Sequence, residues 1–600
     1  MSFSSARHRA PSRVNQAHPP RNPPEEYSDS IALTPLNISA TRNPRPLPHT
    51  LIMSNKSQSL HEKDSLPQLT MSDEATPVSP TGSAYRSAGR ASGWNWMMAY
   101  SCLVVALSGW MFGVENSIIG PIASMTAFVE EYQGVNPTTG ELVLTARNQS
   151  MLFSIPLVGT VFGALLAVPL QKRFGRKWTL VGAYIFSLPA VFLQLFAPNL
   201  AGFIGGRFYN GLAYGAATSI APGYLAELVV PSIRGRAVTL NNFCTILAQV
   251  ISVIICWASE RAYRGEHMSY RAPLAVQVCL PGVLALLTCF CVESPVVLIQ
   301  QNRKEEGKAA LRKIRSYSDA EVQAEFEILC DAEDYVRDIA ANTSFFDIFK
   351  GNNKWRTIVA GSLFSLNQIS GIIMSTTYAT LFLTQLGAGD PFVLTVVSAV
   401  CQLAGAAAGP FALDFFGRRS LILTGFVILI MIDFTAGGLA FFQDNASSLK
   451  TIAALSFIFN FVWTGSFYPC SLLMPAEIPT QRLRGPTLAY AIGWGQLTAV
   501  ITTLAVPEIT AADGHNLGAK AYIMFGGFMV AILVFGIFCL PETKGRTPNE
   551  IDEMADTLGM ARAWQWKNYE CKTRAVQGAT LAAMEEERRE TGQAAKDSSA

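Results

Sequence analysis

Residues 151–177 read MLFSIPLVGTVFGALLAVPLQKRFGRK, and this stretch indicates the architecture of the chain. Residues 151–170 are predominantly apolar, and an α-helix needs about 20 such residues to cross the hydrocarbon layer of a membrane. A helix is required there because lipid offers the backbone no hydrogen-bond partners. A turn rich in Lys and Arg, residues 171–177, follows at once. The stretch therefore predicts a membrane-spanning helix that ends in a positively charged loop.

Eleven other runs have the same character, which makes twelve predicted spans. They are 97–120, 151–170, 178–198, 202–226, 237–258, 272–292, 357–386, 391–413, 420–442, 452–475, 486–507 and 520–540. A polar segment, 296–355, divides them six and six.

Three motifs occur twice in the same order and at nearly the same offset. Glu227 with Arg234-Gly235 recurs as Glu477 with Arg484-Gly485, Gly175-Arg176-Lys177 recurs as Gly417-Arg418-Arg419, and Glu293-Ser294 recurs as Glu542-Thr543. Such internal repetition is typical of transporters built from two similar halves around a central site. The predicted fold class is an all-α membrane protein, with twelve transmembrane helices in two similar six-helix halves.

The composition excludes several classes of protein. Only 15% of the 600 residues are charged, whereas a soluble domain has about 25%. Lys and Arg total 46 against 44 Asp and Glu, so there is no basic excess for binding nucleic acid. The six histidines lie outside the apolar runs, and no C-x-x-C pair occurs. We therefore predict no metal site, no cofactor and no nucleic-acid partner. A P-loop is absent too, so ATP is not the expected energy source.

Five segments are predicted along the chain. They are a disordered N-terminal tail 1–92, a first half 93–295, a helical linker 296–355, a second half 356–541 and a C-terminal tail 542–600. The first tail is rich in Pro, Ser and Asn and poor in apolar residues, so it cannot bury enough surface to fold. Lys and Arg are commoner in the loops on the linker's side of the membrane than on the other side. Because such residues collect in the cytosol, we expect both termini there.

Residues 541–547, PETKGRT, directly follow the twelfth run. Further motifs accompany them: Phe112–Glu115, Arg173–Lys177, Gly206-Arg207, Pro222–Glu227, Glu293–Pro295, Asn367–Gly371 and Asp414–Arg419. Together these strings resemble the sugar porter family of the major facilitator superfamily over about residues 94–560. The shorter strings Glu477–Pro479, Asn516–Lys520 and Met560–Arg562 are similar to those of fungal α-glucoside (maltose-type) permeases.

The resemblance implies a secondary active transporter and not an enzyme. It would import a sugar, an α-glucoside or a hexose, by proton symport with alternating access, and would lie in the plasma membrane. Its partners would be the sugar, the proton and the lipid bilayer. Two alternatives remain open: a facilitator or exporter of another polar metabolite on the same fold, and a non-transporting sugar sensor.

Glu115 lies within the first apolar run, where an ionised acid is costly unless it is paired, so it is a candidate functional group. The resemblance pairs it with Arg207 of the fourth run, as a proton-coupling pair that protonation of the acid would release. A static ion pair is the alternative. Asp433, in the ninth run, is a second intramembrane acid outside the family pattern. A hydrogen bond to a neighbouring hydroxyl or a protonated state is expected for it, and it remains an alternative proton site.

Four amides lie in apolar runs and are candidate substrate contacts: Asn242, Asn367, Gln368 and Gln496. Amides both donate and accept hydrogen bonds, as sugar hydroxyls do. The resemblance places Asn242 on the fifth helix and Asn367-Gln368 on the seventh. The competing explanation is that the amides join helices to one another within the lipid. Tyr378 and Trp494 are the candidates for aromatic contacts with a sugar ring.

Charged residues at the ends of corresponding helices are, by resemblance, a cytosolic gate network that joins the two halves when the transporter faces outward. They are Arg173, Arg176, Glu227, Arg234, Glu293, Asp414, Arg418, Glu477, Arg484 and Glu542. The simple alternative is that the arginines only set the topology, although this does not explain the repeated acids. Lys172 stands where the family has an Asp, so the first copy of the motif lacks its acid.

Overall fold

The computed structural model describes residues 95–571, except 231–232, 317, 342–343, 388, 443–444, 481 and 570. The tail predicted over 1–92 lies outside the described residues, as does the end of the C-terminal tail, 572–600. The fold is built from helices joined by short turns.

The described residues of the first half form seven helices. They are α1 (Trp96–Ala106), α2 (Gly109–Ser124), α3 (Thr126–Tyr132), α4 (Ala146–Leu195), α5 (Leu200–Leu228), α6 (Arg234–Ala262) and α7 (Met268–Cys289). Helix α4 has 50 residues and is interrupted at Gly175, whose φ of 88° and ψ of 176° are not helical. The two helical parts, 146–174 and 176–195, are about 44 Å and 30 Å long at 1.5 Å per residue, so each can cross the membrane once.

Three helices and a short 3₁₀ helix follow in the predicted linker. They are α8 (Pro295–Gln300), α9 (Lys304–Ile314), α10 (Asp319–Ala341) and the 3₁₀ helix Phe345–Phe349. Arg315, which follows α9, is buried and fixes this segment to the first half. Its Nη1 donates to the carbonyl of Leu228, at the end of α5, over 2.8 Å. Its Nη2 lies 3.0 Å from Oε1 of Glu325 on α10.

In the second half and the C-terminal segment, the part of the chain that the structure describes forms nine α-helices. They are α11 (Asn353–Ile369), α12 (Ile372–Ser375), α13 (Ala379–Leu386), α14 (Pro391–Phe416), α15 (Arg418–Leu439), α16 (Ala446–Glu477), α17 (Arg484–Thr510), α18 (Ala521–Cys539) and α19 (Pro548–Thr557). Two short 3₁₀ helices, Gly518–Lys520 and Met560–Asn568, precede α18 and follow α19. Trp566 of the last one is buried among the apolar side chains of the second half.

The predicted number of spans is confirmed. Among the described residues, nine helical segments are long and apolar enough to cross a membrane, with α1 and α2 forming one of them. The interrupted α4 supplies two spans, and α5 and the broken seventh span complete the twelve.

The arginine-rich turns and the linker lie at one end of the bundle, here called the basic end. The other end is called the opposite end.

The seventh span differs from the single helix predicted over 357–386. It consists of α11, α12 and α13, because Gly371 adopts a left-handed conformation with φ of 83°. A Cβ at this position would lie 3.1 Å from Cβ of Phe525 on α18. The break therefore depends on a residue without a side chain, both for its backbone angle and for its close packing.

Candidate functional site

A central cavity of about 160 Å³ lies between the two halves. Six amide side chains line it: Asn116, Gln249, Asn367, Gln368, Gln402 and Gln496. They come from α2 and α6 in the first half and from α11, α14 and α17 in the second. Each amide offers two N–H donors and one acceptor oxygen. The cavity can therefore bind a molecule rich in hydroxyl groups, and both halves contribute to it.

Three of the four predicted substrate contacts lie in this cavity, and the fourth does not. Asn367, Gln368 and Gln496 line its wall. Asn242 is half-buried and lies two helical turns from Gln249, nearer the basic end of α6. Gln249 takes the lining position instead. Positions seven residues apart share a helix face, so Asn242 and Gln249 lie on one face of α6 at different depths.

Sequence reasoning missed the lining amides Asn116, Gln249 and Gln402. Each lies in one of the twelve apolar runs, so a search for every amide in those runs would have found them. The sequence alone does not tell which amides face the cavity. Asn241, for example, is buried but donates to the carbonyl of Ala106 over 2.9 Å and so joins α6 to α1.

Apart from Nη1 of Arg207, two polar atoms of cavity-lining residues are buried without a hydrogen-bond partner in the described chain. They are Oδ1 of Asn367 and Nε1 of Trp463. An unpaired polar group of this kind costs free energy, about 1–3 kcal/mol. One is an acceptor and the other a donor, so a ligand hydroxyl could satisfy either.

The aromatic contacts differ from those predicted. Trp463 and Tyr468 line the cavity, with ring centroids 5.1 Å apart. Tyr378 is buried beside Phe153, and its hydroxyl donates to the carbonyl of Thr503 over 2.9 Å. Trp494 is 46% exposed and is not among the residues that line the cavity. Trp463 and Tyr468 therefore present neighbouring aromatic rings at the cavity wall, together with Phe112, Phe153 and Tyr214.

Glu115 and Arg207 form a buried ion pair, as the resemblance implied. Arg207 Nη1 lies 3.0 Å from Glu115 Oε1, and both side chains are almost completely buried. Glu115 Oε2 accepts a hydrogen bond of 2.6 Å from Nδ2 of Asn210 and another from Nε2 of Gln277. Pairing and hydrogen bonding offset the cost of a charge at this depth.

Arg207 joins this pair to the cavity. Its side chain lines the central cavity, and its Nε donates to the carbonyl of Leu152 on α4 over 3.1 Å. Glu115 lies behind it, among residues of α2, α5 and α7. A ligand in the cavity and a proton on Glu115 would therefore act on the same guanidinium group from its two sides.

At the basic end of the first half, five residues form a cluster around the Gly175 turn. Arg176 Nη2 lies 2.7 Å from Glu227 Oε1, and Ser294 Oγ donates to Glu227 Oε2 over 2.6 Å. Glu293 Oε1 accepts from the backbone N–H of Arg176 over 2.9 Å. Burial raises the pKa of Glu293, and its hydrogen bonds from the backbone N–H groups of Lys177, Ser294 and Arg176 oppose this rise.

The second half repeats the cluster around the Gly417 turn. Arg418 Nη2 lies 3.3 Å from Glu477 Oε1, and Thr543 Oγ1 donates to Glu477 Oε2 over 2.5 Å. Glu542 Oε1 accepts from the backbone N–H of Arg418 over 3.1 Å. Gly417 has φ of 84° and ψ of 170°, close to the values at Gly175. The sequence repeat is therefore also a repeat of contacts.

The expected gate network, which would join the halves when the transporter faces outward, stays a prediction. Arg176 pairs with Glu227 and Arg418 with Glu477, so each ion pair lies within one half and does not join the halves. The other predicted members lie around the clusters: Arg173, Arg234 and Asp414 are exposed, and Arg484 is half-exposed. Arg173 lies over the ring of Phe174, 5.5 Å from its centroid.

The halves contact one another towards the opposite end. The backbone N–H of Ala146 donates to Asp513 Oδ2 over 2.8 Å, and Ser150 Oγ donates to the carbonyl of Leu504 over 2.9 Å. Both contacts join α4 to α17 or to the loop after it. At this end, hydrogen bonds therefore join the two halves.

The chain is similar to known membrane transporters over most of its length. A family model described as sugar (and other) transporter matches residues 101–555. The major facilitator-type transporter ecdD of Aspergillus rugulosus is 26% identical over 483 residues, which are 77% of this chain and 88% of that protein. Maltose permease MAL31 of Saccharomyces cerevisiae is 24% identical, over 80% of this chain and 78% of that permease.

Solved structures share the fold. The xylose transporter XylE from E. coli, in a partially occluded inward open conformation, superposes with a TM-score of 0.63 at 20% identity. The superposition covers 76% of this chain and all of that one. The proton:xylose symporter XylE bound to 6-bromo-6-deoxy-D-glucose also gives a TM-score of 0.63, over 98% of its chain.

Proposed function

The chain belongs to the sugar (and other) transporter family of the major facilitator superfamily, and we propose on this premise that it imports a sugar by proton symport with alternating access. Members of this family are transporters and not enzymes. One observation supports the coupling of sugar transport to proton transport. Arg207 lines the central cavity and is paired with the buried Glu115 over 3.0 Å.

Protonation of Glu115 would remove the charge that holds Arg207. The guanidinium group would then lose its ion pair, and the packing of α2 against α5 would lose part of its stabilisation. A sugar hydroxyl that accepts a hydrogen bond from Arg207 would also change this pair. Because coupling between two sites is reciprocal, the sugar then favours proton binding as much as the proton favours sugar binding.

The cavity supports a sugar as the substrate. Its six amides match hydroxyl groups in both directions, and Trp463 with Tyr468 presents an aromatic surface to the apolar face of a sugar ring. We propose an α-glucoside or a hexose. Among the relatives, one is named a maltose permease and another a high-affinity glucose transporter.

The repeated clusters support alternating access. Each half has its own cluster at the basic end, and hydrogen bonds join the halves towards the opposite end. Each half can therefore keep its internal contacts while it rocks against the other. We propose that the described conformation is closed at the opposite end.

We further propose that the basic end faces the cytosol. The Lys- and Arg-rich loops and the linker support this orientation. Both termini would then be cytosolic, and the membrane would be the plasma membrane. Single exposed cysteines in the loops of each end, labelled from one side of intact cells, would test the orientation.

Uptake across pH tests the coupling. Radiolabelled maltose, glucose, xylose and a polyol would be offered at acid and neutral pH to a transport-deficient host that expresses the chain. We expect accumulation of one of the sugars against its gradient, and more of it at acid pH. In Glu115→Gln, exchange of that sugar should persist while accumulation is lost, because the amide cannot bind or release the proton.

Glu141→Gln is the matched control, because it makes the same substitution at an exposed loop position. It should accumulate sugar as the wild type does. If Glu115→Gln accumulates sugar as well as Glu141→Gln does, Glu115 has no coupling role. Equilibration without accumulation in the wild type would indicate a facilitator.

A further inference from the structure

A second, smaller cavity of about 30 Å³ adjoins the central cavity and is called the side cavity here. Its wall is formed by residues of α2 and α6 in the first half and of α12, α13 and α14 in the second. Four residues line both cavities: Asn116, Gln249, Thr376 and Gln402. A group attached to a ligand in the central cavity can therefore reach the side cavity.

The side cavity lies on the side of the central cavity that is nearer the opposite end. Helix α14 runs from the opposite end to the basic end, and its residues Thr395 and Ala399 line the side cavity but not the central one. Gln402, one turn further along, lines both. The two halves meet directly beside the side cavity, where a Cβ on Gly120 would lie 2.8 Å from the carbonyl oxygen of Thr377. The side cavity is therefore complete only while the halves are in contact here.

The amides at the junction of the two cavities have no partner within the chain that the structure describes. In these residues, the side chains of Asn116, Gln249 and Gln402 make no hydrogen bond. Gln402 is nevertheless buried, with only 9% of its surface exposed. An amide that is buried without a partner costs free energy, so a ligand hydroxyl in the side cavity would gain a hydrogen bond from it.

Ser398 adds a hydroxyl group whose position is fixed. Its Oγ accepts a hydrogen bond of 2.6 Å from Nδ2 of Asn460, and the same Nδ2 donates to the carbonyl of Ser375 over 2.9 Å. Other parts of the wall are apolar: Pro121, Val253, Ala379 and Ala399. The side cavity thus combines hydrogen-bonding groups with a surface suited to a carbon atom.

The size of the side cavity limits what it can hold. One water molecule needs about 15 Å³ of such space, so the side cavity accommodates about two groups of that size. A sugar ring is too large for it. A hydroxymethyl group, with one carbon and one oxygen, matches it in size. Its hydroxyl can both donate to and accept from the amides, while its carbon contacts the apolar wall.

We propose that the side cavity is the subsite for the hydroxymethyl group of a hexose whose ring occupies the central cavity. Gln402 and Ser398 recognise the hydroxyl, and Val253 and Ala399 contact the carbon. This inference rests on the proposed sugar transport and narrows its substrate to sugars that carry this group. Glucose is therefore bound more tightly than xylose, which has the same ring and lacks the hydroxymethyl group.

Titration calorimetry of the purified full chain tests the subsite with three sugars. Glucose, 6-deoxyglucose and xylose carry a hydroxymethyl group, a methyl group and a hydrogen at the same ring position. In the wild type we expect Kd for xylose to exceed Kd for glucose about ten-fold or more, because a missing carbon in a fitted pocket has an effect of this size. Kd for 6-deoxyglucose should lie between the two.

Ala399→Val fills the side cavity from a position that does not line the central cavity. Kd for glucose should rise about ten-fold, because a pocket that is filled cannot take the extra group. Kd for xylose should stay unchanged, so the preference for glucose disappears. Val253→Ile fills the same space from α6 and should have the same effect if Ala399→Val does not fold.

Ala404→Val is the matched control, because it makes the same substitution at an exposed position of α14 outside both cavities. It should bind all three sugars as the wild type does. Equal Kd values for glucose and xylose in the wild type would overturn the subsite, and so would an undiminished preference for glucose in the filled variant.

Failure of the proposed function gives a different result in the same measurement. If glucose, xylose and maltose all fail to bind the wild type, the proposed sugar transport is wrong. Binding of maltose without binding of glucose would overturn the subsite and leave the proposed sugar transport in place.

Discussion

Trp463 and Asn367 show how single residues prepare the central cavity for a ligand. Their buried polar atoms, Nε1 and Oδ1, have no partner in the described part of the chain. Both side chains are also packed into the apolar interior, and this fixes their positions. A ligand hydroxyl that reaches them gains a hydrogen bond and removes the cost of leaving them unpaired.

Trp463→Phe tests whether Nε1 of Trp463 donates a hydrogen bond to the transported sugar. The substitution keeps an aromatic ring and removes the N–H donor. We expect KM for the transported sugar to rise about five-fold, because a lost neutral hydrogen bond is worth about 1 kcal/mol. KM would be measured from initial uptake rates.

Trp494→Phe is the matched control, because Trp494 is outside the cavity and largely exposed. Its KM should not change. Equal KM values for the two variants would show that Nε1 of Trp463 does not contact the sugar.

The turns at Gly175 and Gly417 show how an element is defined by contacts distant in sequence. Each glycine has a backbone conformation that residues with side chains rarely adopt, and each lies against a glutamate that follows the last helix of its half. Glu293 and Glu542 accept hydrogen bonds from the N–H groups that begin the next helix. A negative charge at a helix N-terminus is stabilising.

Gly417→Ala should therefore destabilise the second half. The positive φ alone costs about 1–3 kcal/mol for a residue with a side chain. The new Cβ would also lie 2.9 Å from Oε2 of Glu542. The effect would be measured as the thermal unfolding temperature in detergent and as the rate of sugar counterflow. Both should be lower than in the wild type.

Gly438→Ala is a control on α15, the helix that Gly417 precedes. A Cβ there meets no neighbouring atom, and alanine favours the helix more than glycine does. Equal stability of the two variants would mean that the Gly417 turn tolerates a side chain, contrary to this prediction.

At the scale of the whole molecule, the proposed alternating access requires the two halves to separate at one end while they approach at the other. Ala146 and Asp513 join the halves towards the opposite end. The ion pairs at the basic end are internal to each half. The halves can thus move without breaking their own clusters.

A cross-link between Ala146→Cys and Asp513→Cys should hold the opposite end closed. We expect oxidation of the double variant to abolish sugar uptake and reduction to restore it, because the cavity would then open only towards the basic end. Each single variant should transport under both conditions. Full uptake by the cross-linked double variant would refute alternating access at this end.

The sequence by itself determined the class of the fold, the twelve spans and the twofold repetition. These features follow from the length of apolar runs and from local motifs, because a helix in lipid has to satisfy its own backbone hydrogen bonds. The acid in the first span and the arginine in the fourth were also readable, since charges at that depth are rare.

Only the tertiary structure decided which side chains meet. Gln249 lines the cavity and Asn242 does not, although both lie on one face of α6, because the depth of the cavity depends on the opposing half. The gate residues pair within each half, since Glu227 and Glu477 lie closest to the arginine of their own turn. Rotation and depth of packed helices determine such contacts, and neither is encoded in the local pattern of a single span.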